Sequence, residues 1–454
     1  MSTLIGTHGK NTSAFALCLF LTSLPSSSFA EQLSLDQIVA RALQHSPKLE
    51  KARAEKRSAK IEAQLAYGVF APSTLLSGTY RRLSEEEFPE LAPGVTFPQF
   101  LDSYSFQASV ELPISEYLFT KPALFRIARL GLNLQQAKLS ELRESVAEHA
   151  AVQALQLHAA KSSCDALRGS ITTLQSQVES IRRLVKAGAS TKSTLLAMEA
   201  QTAALQTQLI RAEGAVKLME LEMALMLGYG RNDSLPVLAV AGENSSKAVS
   251  HTYEKALAIA ISVRPELIFL KLAKKLKKNE IGLYSSQRFP SLSVAGSLES
   301  ANPNNRIFPP SGELETTWAV QAQVSWSPNV FLARTVEHVR ALEALKGLSA
   351  DLKGLENVVK LQLAAAFSDA ETADRLNHAA RKRLDAAVAA LSEQKVLARI
   401  GEVTAQNLLD SEQAHREAVI SQIDAQVQIR IAEIKIRRAL GQLTRTDGNP
   451  GENK

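Results

Sequence analysis

The chain has 454 residues, room for two or three ordinary domains or for one elongated body built from repeats. Charged residues make up 22% and aromatics 5%, which excludes both a disordered charged tail and an aromatic-rich all-β protein. The net charge of +6 is dispersed except at Lys271, Lys274, Lys275, Lys277 and Lys278; with no stacking aromatics between them, these read as a solvated helix face, and no nucleic-acid partner is expected.

Residues 1–30 form the first element. Lys10, an apolar run from Ala14 to Leu24, Pro25, and small residues ending Ser28-Phe29-Ala30 have the layout of a secretory signal peptide, with cleavage expected before Glu31. Cys18 follows Leu17, where a lipoprotein signal would carry a small residue, so no lipid anchor is expected. Cleavage leaves Cys164 alone and excludes an intrachain disulfide. No later segment approaches 18 uninterrupted apolar residues, so no membrane helix is expected.

The rest of the chain repeats itself. Leu35-Asp36-Gln37-Ile38 through Pro47-Lys48-Leu49 parallels Tyr253-Glu254-Lys255-Ala256 through Pro265-Glu266-Leu267. Pro47 pairs with Pro265, Pro72 with Pro290 and Gly78 with Gly296, all at an offset of 218. Gly188 then pairs with Gly401, and Leu227-Gly228 with Leu440-Gly441, both at an offset of 213. Chance similarity between alanine-rich helices would not keep prolines and glycines in step. The expected units are a first repeat at 31–240, a second at 241–443 and a polar tail at 444–454.

Proline marks the helices. None falls between Pro122 and Pro236 or between Pro328 and Pro450, and both stretches are rich in strong helix formers. Leu157, Ala160, Cys164, Leu167, Ile171, Leu174 and Val178 step alternately by 3 and 4, and so do Val359, Leu363, Ala366, Ala370, Ala373, Asn377 and Ala380. Both runs are coiled-coil seams. Gly188 and Gly401 are expected to break the long helices into hairpins.

Four segments of period 2 lie between the helical blocks, near 72–82, 103–113, 290–299 and 316–327. Their even positions are apolar, as in Tyr104, Phe106, Ala108, Val110 and Leu112, while the odd ones are mostly Ser, Thr, Gln and Glu. A half-buried soluble sheet and a transmembrane barrel both produce this alternation. The barrel is favoured by segment lengths close to the ~9–11 residues that cross a bilayer. It is favoured also by Trp318 and Trp326 on one face, ~20 Å apart along the normal at ~3.3 Å per residue, as in interfacial aromatic girdles, to which Tyr80 and Tyr104 would also belong. Four strands cannot close a barrel, so this reading forces an oligomer, with eight strands in a dimer or twelve in a trimer.

These residues resemble the TolC-type outer-membrane efflux proteins over essentially the whole mature chain. The carriers are Leu33-Ser34-Leu35-Asp36 through Ser46-Pro47-Lys48-Leu49, the strand entries at Pro72 and Pro290, and the tips Ala187-Gly188 to Leu195-Leu196 and Ile400-Gly401 to Leu408-Leu409-Asp410. The resemblance implies a mainly α protein with a small β part, in which long coiled-coil hairpins form an α-barrel. Four transmembrane β-strands per chain would close a 12-stranded barrel as a homotrimer in the outer membrane. It implies a periplasmic adaptor protein and an inner-membrane transporter as partners, outer-membrane lipid around the strands, and adaptor-contacting tip turns at Gly188, Thr191, Gly401 and Thr404. An acidic entrance position maps to Asp410, while its companion is Asn407 here. The periplasmic gate would then carry three carboxylates per trimer, where many relatives carry six.

Nothing in the sequence suggests catalysis, and no cofactor or metal is expected. The eight histidines are scattered, Cys164 lies on a seam, and Gly228-Tyr229-Gly230 lacks the third glycine of a dinucleotide loop. Met219, Met223 and Met226 continue a helical core stripe. Two functions remain: a trimeric duct for efflux or type I secretion, and a periplasmic coiled-coil adaptor.

Overall fold

The computed structural model describes residues 33–68, 70–85, 100–230, 252–400 and 404–444. The expected signal peptide, the repeat boundary near 240, the Gly401 turn and residues 445–454 lie outside the described residues. Helices α1 (Leu35–His45) and α2 (Pro47–Gly68) lead into strands β1 (Ser73–Arg82) and β2 (Asp102–Leu112). A π-helical turn at Glu116–Thr120 then opens α3 (Lys121–Lys186), and α4 (Lys192–Leu227) returns. The same order follows again as α5 (Tyr253–Val263), α6 (Pro265–Ser286), β3 (Ser291–Asn302), β4 (Glu315–Ser325), α7 (Pro328–Ile400) and α8 (Ala405–Leu440).

Local chemistry sets the element ends. Ser34 opens α1 with a capping box: its Oγ accepts from Gln37 N–H at 3.3 Å, and Gln37 Oε1 accepts from Ser34 N–H at 2.8 Å. Pro47 and Pro265 start α2 and α6, where the N–H they lack would have no intrahelical partner. Gly228 and Gly441 close α4 and α8 at φ 76° and 69°. At 66 and 73 residues, α3 and α7 run ~100 and ~110 Å.

The chain is a strip. On the strand side of α1 and α5 the helices lie side by side in the order α2, α3, α6, α7; on the tip side the order is α4, α3, α8, α7. The four strands pair antiparallel as β1-β2-β3-β4. Among the described residues there is no single central core. Apolar clusters follow the seams instead: Leu167, Ile171, Leu174 and Leu205 join α3 to α4, and Ala151, Leu155, Val427 and Ile431 join the repeats across α3 and α8. The seam on α7 is buried at Val359, Leu363, Ala366, Ala373 and Ala380. Cys164 is buried within the α3 seam, where desolvation raises its thiol pKa, and Met223 is core. The lysine run on α6 departs from the expected solvated face. Only Lys275 and Lys278 are exposed, because α6 is flanked by α3 and α7; Lys271 Nζ donates to the Ile261 carbonyl and Lys277 pairs with Glu280.

Two glycines separate backbone strain from crowding. Gly188 has φ 74° with no atom within 4 Å of a built Cβ, whereas a Cβ on Gly228 would lie 2.7 Å from the His45 ring. Gly188→Ala should therefore lower stability by only about 1 kcal/mol, and Gly228→Ala by clearly more, in denaturant unfolding followed by circular dichroism. Equal losses would mean that the α1–α4 packing tolerates the collision.

Candidate functional site

The sheet sorts side chains by parity. Leu76, Ala108, Leu298 and Trp318 form one row across the four strands, and Ser77, Gln107, Glu299 and Thr317 form the neighbouring row on the other face. Every even position thus shares one face and every odd position the other. Nothing among the described residues covers the even face: Leu76 is 82% exposed, Trp318 74% and Val324 70%. Its aromatics gather toward the two ends. Near the loop end Tyr80 and Tyr104 pair across β1 and β2 with ring centroids 5.1 Å apart, and Tyr80 Oη donates to Asp102 Oδ1 at 2.8 Å. Trp318 lies toward that end beside Leu298. Trp326 lies just beyond β4 at the helix end, where its Nε1–H donates to the Arg288 carbonyl at 3.4 Å.

Among the described residues both edges of the strip are free. β1, with α2 and α4, forms one edge, and β4 with α7 forms the other. Each edge carries a second seam beside its buried one. On α4 the exposed positions Leu196, Ala203, Ile210, Leu218 and Leu225 recur at steps of seven or eight. On α7, Val358, Leu361, Ala365, Thr372, Leu376 and Ala379 are exposed along one stripe, Leu361 at 71%. Such stripes are coiled-coil faces without a partner in this chain.

At the hairpin tips, Gly188 permits the left-handed turn, and Thr191 caps α4 by accepting from Thr194 N–H at 3.2 Å. Thr404 caps α8 in the same way, accepting from Asn407 N–H at 3.3 Å. Asn407 thereby serves the cap with its backbone, and its side chain is exposed with that of Asp410. Asp410 Oδ1 accepts from Gln406 Nε2 at 2.9 Å. The residue that sequence reasoning missed is Glu412. Its carboxylate, 8% exposed, accepts from Gln177 Nε2 of α3 at 3.2 Å and pairs with Lys395 Nζ of α7 at 2.9 Å. Two seams thus meet at one buried charge, and no local motif signals it.

A second charge cluster joins the repeats midway along the strip. Arg438 of α8 pairs with Glu266 of α6 at 2.8 Å and with Glu148 and Glu141 of α3 at 3.5 and 3.9 Å. Arg264, 5% exposed, donates to Gln362 Oε1 at 2.8 Å. Glu144, 3% exposed, accepts from the backbone N–H groups of Leu443 and Thr444 and from the Thr444 hydroxyl, which fixes the chain after α8 to α3. Desolvation and the neighbouring Glu266 raise the Glu141 pKa, with Arg438 opposing them.

Known proteins place this geometry. The family profile described as outer membrane efflux protein matches residues 38–229. The sequence matches none of the curated proteins with which it was compared. Among solved structures, the outer-membrane channel OprN is similar at 18% identity, covering 90% of this chain and 89% of its own, with a TM-score of 0.74. CusC aligns at 14% identity over 89% of this chain and 91% of its own, with a TM-score of 0.77. The MtrE channel of Neisseria gonorrhoeae, in its open state, aligns at 16% identity over 90% and 88%, with a TM-score of 0.75. At these identities the structural likeness is one of fold.

The Glu141 environment has a pH consequence. A carboxyl whose folded pKa is raised above 4.5 binds its proton more tightly folded than unfolded, so its contribution to stability falls as pH rises from 4.5 through the raised value. Glu141→Gln should therefore gain in unfolding midpoint relative to wild type over that window. A pH-independent difference between the two proteins would show that Arg438 fully compensates the buried charge.

Proposed function

From a chain that matches the outer membrane efflux protein family over residues 38–229 and has the fold of solved outer-membrane channels, we propose the outer-membrane subunit of an efflux or type I secretion system. It works as a homotrimeric passive duct from periplasm to exterior. The observation that carries this reading is the four-stranded sheet, apolar on one face, polar on the other and unpaired at both edges. In lipid the apolar face needs no cover, but the edge N–H and C=O groups must be paired. Pairing β1 of one copy with β4 of the next satisfies them, and the free α4 and α7 seams lie on the matching edges. Three copies give twelve strands. The even face then meets lipid, with Tyr80, Tyr104, Trp318 and Trp326 as its interfacial aromatics, and the Ser, Thr and Gln face lines water.

Long helices carry the conduit into the periplasm. The sequence has no phosphate-binding Gly-x-x-x-x-Gly-Lys-[Ser/Thr] loop, so energy comes from an inner-membrane transporter through a periplasmic adaptor. The tip turns at Gly188, Thr191, Gly401 and Thr404 are the surface offered to that adaptor. Asp410 lines the entrance and Glu412 holds the tip seams together, so opening moves α7 and α8 against α3 and α4. An adaptor role would leave the uncovered apolar sheet face without a purpose.

The assembly is tested at the free seams. Ile210→Glu with Leu218→Glu should abolish crosslinked trimers in the outer-membrane fraction while leaving the monomer helical by circular dichroism. Trimers that persist would show that the α4 seam does not hold the assembly, and a wild-type protein found soluble in the periplasm would remove the duct. At the entrance, Asp410→Asn should weaken block of single-channel current by periplasmic-side divalent cations by about tenfold in planar bilayers. Unchanged block would place the entrance charge elsewhere.

A further inference from the structure

A groove of about 740 Å³ lies where the strands meet the helices, between the π-helical turn at Glu116–Thr120, the end of α6 and the start of α7. Two guanidiniums and one carboxylate line it: Arg288, Arg334 and Glu116. Charged groups sharing a groove normally neutralise one another, yet these three form no ion pair. Arg334 and the Glu116 carboxylate have no hydrogen-bond or ion-pair partner among the described residues. Arg288 donates through Nη2 to Ser285 Oγ at 3.1 Å, and its Nε–H is enclosed with no acceptor. Beside it the Gln287 Oε1 is enclosed with no donor. Unsatisfied buried polar atoms are costly, and these two, beside the unpaired Arg334 and Glu116 of an open groove, point to a ligand that satisfies them.

The remaining wall is aromatic. Phe289, Trp326 and Phe331 line the groove, with Trp326 and Phe331 ring centroids 6.2 Å apart. The hydrogen bond from Trp326 Nε1 to the Arg288 carbonyl ties this apolar wall to the charged one. The ligand must therefore be an amphiphile with an anionic group, a nearby cation and an apolar tail. The groove is built by the π-helical turn, α6, α7 and the adjoining strand ends of one chain, and α6 lies one helix in from the edge offered by α7.

We propose that this groove binds a glycerophospholipid of the phosphoethanolamine class. Its phosphate lies between Arg288 and Arg334, its ammonium faces Glu116, and an acyl chain lies along Phe289, Trp326 and Phe331. Guanidinium suits phosphate because its planar donors can bond two oxygens together. The position fits as well. The strand ends beside Trp326 are those away from the loops, which on the duct reading lie at the periplasmic leaflet. A resident lipid would wedge the junction between barrel and helices and couple membrane composition to the helical wall.

The inference rests on the duct reading and is tested apart from it. The full-length trimer is reconstituted in bilayers of phosphatidylethanolamine and phosphatidylglycerol, released, and weighed by native mass spectrometry. Wild type should retain phosphatidylethanolamine, and Arg288→Gln with Arg334→Gln should retain about tenfold less. Glu116→Gln, a single conservative change, should shift retention from phosphatidylethanolamine toward phosphatidylglycerol, because the amine contact is lost and the phosphate contact kept. Equal retention by wild type and the double arginine variant, or no retention by wild type, overturns the site. Failure to recover any membrane trimer of wild type would overturn the duct reading instead, and the spectrum separates the two.

Discussion

The structure turns on a sheet that the chain cannot finish. Among the described residues, four antiparallel strands leave a row of unpaired N–H and C=O groups along β1 and another along β4, and an apolar face that no other element covers. In water such an edge invites aggregation, and in lipid it is forbidden. On the proposed duct reading both problems have one solution, closure with further copies inside a membrane. The parity of the strand residues and the aromatics toward the two ends of the sheet support that proposal. Because the register runs unbroken across all four strands, a single-residue slip in any one would turn its apolar side chains into water.

The helices repeat this incompleteness on a longer scale. A helix in a closed single-layer wall must contact a neighbour on each side, and so it needs two seams. Inside the strip both are used; α3 packs on α4 with one side and on α8 with the other. At the strip's edges α4 and α7 each use one seam and leave the other exposed. The free seam on α7 alternates Val358, Leu361 and Leu376 with the smaller Ala365, Thr372 and Ala379, whereas that on α4 is mostly leucine and isoleucine.

The two halves of the chain share an element order more closely than they share charges. Arg264-Pro265-Glu266 occupies the place that Ser46-Pro47-Lys48 holds in the first repeat, and Arg438 occupies that of Leu225. The first junction is accordingly apolar, built on Leu33, Ile38, Ala154, Leu157 and Leu227. The second places Arg438 among three carboxylates, where the long helix of the first repeat meets α6 and α8 of the second. A wall with nearly sixfold backbone symmetry would thus have threefold electrostatics. Its two kinds of junction differ in how strongly pH and salt can act on them.

Period and punctuation were enough to read the elements. Proline spacing bounded the two long helical stretches after Pro122 and Pro328, the 3–4 step identified the buried seams, and strict alternation separated the polar and apolar faces of the strands. These signals are local, since they follow from backbone geometry and side-chain direction within one element. Partners across elements were not legible. The burial of Glu412 between Gln177 and Lys395, the capture of Leu443 and Thr444 by Glu144, and the meeting of Arg288, Arg334 and Glu116 in one groove join residues far apart in sequence. The lysines of α6 show the same limit, because composition gives a helix its charge but the neighbours α3 and α7 decide how much of it reaches water. Sequence alone determined which elements form and which face of each is apolar. Only the tertiary structure decided which charged groups are buried, what each one touches, and which seams remain free, because those depend on packing between segments that no local pattern encodes.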